Sequence, residues 1–142
     1  MSVIVPVDTH SRSGFPYILD ETPKLRKLVG RTSADLYPRY CYGWLFNDKE
    51  LEAMSIAAFG HPYGHKNALI TVFDRWEALG GSPGDLDYTH KRMNQHYEIL
   101  LYFSENTTRK KLKRVSDPEF LAKAKAATGK QEDGKWYHTD VF

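Results

Sequence analysis

The chain has 142 residues, 41% of them hydrophobic and 27% charged, with 20 lysines and arginines against 18 acidic residues for a formal charge of +2. That balance, with a mean hydropathy of −0.57, excludes a disordered chain and predicts one globular domain over 1–142. A helical membrane span is excluded too, because the longest apolar run of any weight, Ile99 to Phe103, falls far short of the roughly 20 residues a span needs.

The N-terminal "MSVIVPVDTHSRSG" lacks a basic stretch followed by an apolar core, so no secretory signal is expected. Cys41 is the one cysteine, which rules out an intrachain disulfide. Both features predict a reducing, cytoplasmic setting. "VIVPV" reads as a short strand that Pro6 restricts to an edge. Thr22-Pro23 reads as the cap and first-turn proline of a helix through Leu25, Leu28 and Val29 to Gly30. "LYPRYCYGWLF", aromatic and interrupted by Pro38 and Gly43, reads as extended or irregular.

The next helix carries the clearest signals. Asn47 is its cap, Glu50 completes a capping box, and Phe46 with Leu51 occupies the hydrophobic-staple positions. Leu51, Met54, Ala58 and Phe59 form its apolar face and Gly60 stops it. Beyond "GHPYGHKN", Asn67 caps a further helix whose Leu69, Val72, Phe73, Trp76 and Leu79 recur at helical spacing up to Gly80-Gly81. From Asp87 to about Glu105 two readings compete. "HYEILLYF" alone makes a strand, but residues 88–96 contain no breaker and the whole run exceeds strand length, so a long helix is preferred. Asp117-Pro118 opens a last helix with Phe120, Leu121, Ala124 and Ala127 inward, and "GKWYHTDVF" is an extended tail. The expected fold is mainly α, about five helices with extended N- and C-terminal segments; α+β is the alternative.

Four places carry candidate chemistry. His61 and His65 stand four apart, the spacing of a metal pair on a helix. Pro62 and Gly64 put them in a connector instead, and Cys41, His10 and Asp8 are only distant candidates for the third ligand that zinc requires. No metal is therefore assigned. Asp87 and His90, three apart on the expected helix, form a carboxylate–imidazole pair of the kind that orients a general base. Catalytic candidates are accordingly His61, His65, His90 and Asp87. Cys41 sits near Arg39, which would favour a thiolate, but its aromatic surroundings favour a small buried hydrophobe.

The most distinctive stretch is "RKKLKR", with Arg109, Lys110, Lys111, Lys113 and Arg114. Without those five, 15 basic residues face 18 acidic ones, so the segment is a positive spot on a mildly acidic chain. It resembles a nuclear-import or nucleic-acid patch, which adds the nucleus as a second location. Neutralising five phosphates of duplex DNA would give a log–log salt slope of about −4.5. Lys113-Arg114-Val115-Ser116 matches a basophilic kinase site, Asn106-Thr107-Thr108 a glycosylation acceptor, and Asp140-Val141-Phe142 a terminus for a carboxylate-binding groove. "GGSPGD" has neither the spacing of a dinucleotide fingerprint nor the lysine of a P-loop. The function expected is a non-enzymatic interaction protein that meets an acidic protein or nucleic acid through 109–114, with no membrane role. The alternative is a small lyase, isomerase or hydrolase using histidine acid–base chemistry on a small-molecule ligand, metal-assisted or not.

Overall fold

An antiparallel sheet, with helices against one face, organises the chain. The computed structural model describes residues 17–18, 22–26, 38–61, 68–93 and 96–139. Its strands are β1 (Tyr17–Ile18), β2 (Tyr40–Asn47), β3 (Asp87–Met93), β4 (His96–Glu105) and β5 (Lys135–His138). They pair in the order β1-β5-β2-β4-β3, antiparallel throughout. The helices are α1 (Asp48–Phe59), α2 (Ile70–Ala78), the short α3 (Arg109–Lys113) and α4 (Pro118–Thr128).

The fold is thus α+β, and the mainly helical expectation is corrected. The decisive segment is 87–105, which forms the β3–β4 hairpin with Met93 opposite His96. Ile99, Leu101 and Phe103 enter the core beneath the helices, while Leu100 and Tyr102 join a buried cluster on the other face. A strand buried on both faces reads as an unbroken apolar run, which periodicity cannot tell from a buried helix. The helix expected from Thr22 is also absent over 22–26. There the Lys24 carbonyl accepts from the Asn106 amide and the Arg26 N–H donates to the Asn106 carbonyl, so these backbone groups serve a tertiary contact rather than a helical turn.

Where local chemistry decides, the helices follow it. Asn47 Oδ1 accepts from the Glu50 N–H at 2.9 Å and Glu50 returns the bond to the Asn47 N–H, the full capping box. Gly60 closes α1 at φ 81° and Gly129 closes α4 at φ 75°, left-handed conformations that cost glycine least. Asp117 Oδ1 accepts from the N–H groups of Glu119 and Phe120 and opens α4. One face differs from expectation: Leu51 and Ser55 are the buried residues of α1, Met54 is half-buried, and Ala58 and Phe59 are exposed. The core between sheet and helices is aromatic. Trp76 meets Phe103 and Phe120 edge-on at 5.1 and 5.3 Å, Trp44 meets Phe103 at 5.8 Å, and the Trp76 indole N–H donates to the Ser82 carbonyl. No helix among the described residues is long and apolar enough to cross a membrane.

Candidate functional site

Asp87, the first residue of β3, pairs with Tyr102, so β4 runs on through Phe103, Ser104 and Glu105 without a β3 partner. The 3-10 turn Pro83–Asp85 and the α3 segment close around this overhang, leaving a half-open cleft of 190 Å³. Arg114 holds one wall. Its Nη1 donates to the carbonyls of Asp85 (3.0 Å) and Phe103 (2.9 Å), its Nη2 lies 3.3 Å from Asp85 Oδ1, and it sits 5.7 Å from the centre of the Phe120 ring. One guanidinium thereby ties β4, the 3-10 turn and α4 together.

Glu105 anchors the other end, 3.6 Å from Arg39 and 3.5 Å from Lys111, and it accepts the Thr107 hydroxyl. Burial works to raise its pKa, but the Thr107 hydrogen bond and the two cations outweigh that and hold the carboxyl below its ordinary 4.5. Tyr102 lies between Arg39 and Asp87, and its phenol oxygen accepts from Arg39 Nη2 at 3.4 Å. Burial first, then Cys41 and Asp87, push its pKa up to about 12, so the O–H stays a donor at neutral pH. Asp87 forms no ion pair among the described residues; its Oδ1 accepts only the neighbouring Tyr88 N–H.

The basic segment is divided by its own packing. Thr108 Oγ1 caps α3 by accepting from the Lys111 N–H, and the chain continues into a 3-10 turn, Arg114–Ser116. Leu112 and Val115 pack on Tyr40 and Trp136, which turns Lys111 and Arg114 into the cleft. Arg109, Lys110 and Lys113 stay exposed, outside any ion pair among the described residues.

The histidine candidates fare differently. His61 is exposed at the end of α1, where its carbonyl accepts from the Ser55 hydroxyl at 3.2 Å. His65 lies outside the described residues, as do Asp8, His10 and the 140–142 terminus. Asp87 and His90 are corrected as a pair. On a strand, residues three apart face opposite sides, so Asp87 joins Tyr102 while His90 stacks on Tyr97 at 5.4 Å. No group of three or more His, Cys, Asp or Glu side chains among the described residues is placed to hold a metal ion. Cys41 is fully buried, its Sγ 3.8 Å from Thr139 Oγ1.

Two modification motifs meet structural obstacles. Asn106 is completely buried with both amide hydrogens donated, to the Lys24 and Pro38 carbonyls, so it is no glycosylation acceptor in the folded chain. Ser116 is exposed, but Arg114 two residues before it is pinned in the cleft wall. Sequence reasoning missed the roles of Asp85, Tyr102 and Glu105. They meet partners far along the chain (Arg39 is 63 residues from Tyr102), and such a cluster has no local signature. Comparison with protein-family models, with curated proteins and with solved structures finds no match to this chain.

Proposed function

We propose that this chain is a non-enzymatic interaction protein that docks on an acidic partner through the outward face of α3. The observation carrying this is the division of the basic segment: Lys111 and Arg114 face Glu105 and Asp85 in the cleft, while Arg109, Lys110 and Lys113 point to solvent as a triplet outside any ion pair among the described residues. An acidic protein segment is favoured over nucleic acid. Sequence-tolerant binding of single strands needs exposed aromatic platforms, whereas Tyr102 and Phe103, just before the segment, are only 7% and 1% exposed. The setting proposed is cytoplasmic, because two of the five cations an import signal would display are engaged within the fold.

The histidine-enzyme alternative has less behind it. His61 follows α1 and His90 lies within β3, and Asp87 no longer serves as the orienting partner of His90.

Fluorescence anisotropy with labelled polyglutamate, and separately with single-stranded and duplex DNA, over a salt series tests the proposal. Polyglutamate should bind, and Arg109→Gln/Lys110→Gln/Lys113→Gln should abolish that binding while Arg114→Gln lowers stability instead. On duplex DNA any binding should show a log–log salt slope of about −2.7, as three phosphate contacts give, not the −4.5 of five. Polyglutamate binding untouched by the triple substitution would sink the reading. Strong base-dependent binding to single strands would replace it with nucleic-acid recognition.

A further inference from the structure

The cleft lies on the inward side of α3, opposite the cations assigned above, and it needs an occupant of its own. Its 190 Å³ lies below the several hundred cubic ångströms of a cofactor pocket, which points to a small molecule as its occupant.

Charge narrows the class further. Arg114 and Asp85 neutralise one another within the wall. At one end Asp87 presents a carboxylate with no ion pair among the described residues. At the other, Lys111 shares the single Glu105 carboxylate with Arg39, at 3.5 and 3.6 Å, and keeps ammonium hydrogens for a second acceptor. Between them Tyr102, 7% exposed, lines the cleft; its phenol oxygen accepts from Arg39 and its O–H donates to no described residue. A lone anion entering here meets the carboxylates of Asp85, Asp87 and Glu105; a lone cation meets Lys111 and Arg114. Only a ligand with both charges compensates both ends.

We propose that this cleft binds a small zwitterion of amino-acid size, its ammonium on Asp87 and its carboxylate on Lys111, with the Tyr102 O–H donating to that carboxylate. Asp87 lies opposite Tyr102 and Lys111 contacts Glu105, three residues along β4, so the two charged groups stand toward opposite ends of the cleft.

An NMR titration of the isotope-labelled full chain with glycine, β-alanine and L-serine tests this, with propionate and propylamine as singly charged counterparts. At least one zwitterion should shift the amides of Gly84, Tyr102 and Lys111 saturably, and neither singly charged probe should do so. Asp87→Asn and Lys111→Gln, both solvent-reachable positions, should each weaken binding at least about tenfold while the spectrum stays folded, because each removes a charged partner. Propylamine binding as well as the zwitterions would make this a cation site, and propionate binding as well would make it an anion site; either result overturns the assignment. So would the absence of any saturable shift from all three zwitterions, or saturable binding that both substitutions leave unchanged.

Discussion

Asn106 shows how much one side chain can hold. Its Oδ1 accepts from the Tyr40 N–H at 2.8 Å, and its Nδ2 donates to the Lys24 and Pro38 carbonyls at 3.0 and 2.9 Å. Two segments that make no regular structure, 22–26 and 38–39, are thereby fixed to the end of β4. Asn106→Ala would strand three backbone groups in a fully buried site, where each unpaired group costs about 1–3 kcal/mol. We expect a loss of about 3–5 kcal/mol, read as a lower midpoint in chemical denaturation. Asn106→Asp should be at least as damaging, because it turns two donors into acceptors that face carbonyls. A loss below about 1 kcal/mol from either substitution would show that the hub is dispensable. In the sequence this residue was legible only as part of Asn-Thr-Thr. Its partners lie 66 to 82 positions away, and burial by distant chain leaves no mark on a tripeptide.

Among the elements, α1 and α4 were legible because their determinants are local. Caps, staples and glycine stops act within one turn, and the Asn47–Glu50 box and the Asp117 cap form as their spacing predicts. Gly43 reads differently once its neighbours are known. It sits inside β2, beside a register shift between Tyr42 and Gly43, where the β2 and β4 backbones come close. A Cβ there would run into the Leu101 carbonyl oxygen and approach the Tyr102 Cα to 2.7 Å. Gly43→Ala should therefore push two backbones apart and cost about 1–3 kcal/mol. Gly84→Ala is the control, since a Cβ there meets nothing within 4 Å and should change stability by less than about 0.5 kcal/mol. Equal melting temperatures for the two variants would remove the close approach as the reason for glycine in β2.

At the scale of the whole molecule, the strand order could not be read from the sequence at all. β5, from the C-terminal region, lies between β1 and β2, joining chain ends more than a hundred residues apart. The same closure buries the groups that set the pH range of the fold. Glu105 has a folded pKa below its ordinary 4.5, so the stability it contributes is complete above that value and is lost as pH falls through the lower folded one. Tyr42, Tyr102 and Tyr137 are displaced the other way, all chiefly by burial, with Tyr102 pushed up to about 12. Their contribution is complete below the ordinary phenol value of 10.0. It is lost as pH rises beyond, because the unfolded chain gives up its phenolic protons first. Thermal unfolding followed across pH should therefore show a plateau with an acid limb below 4.5 and an alkaline limb above 10.0. Glu105→Gln should lower the plateau and flatten the acid limb alone. Tyr102→Phe should make the alkaline limb shallower and leave the acid limb in place. If both substitutions leave the limbs unchanged in slope and position, the pH dependence originates in other groups and the cleft charges do not govern it.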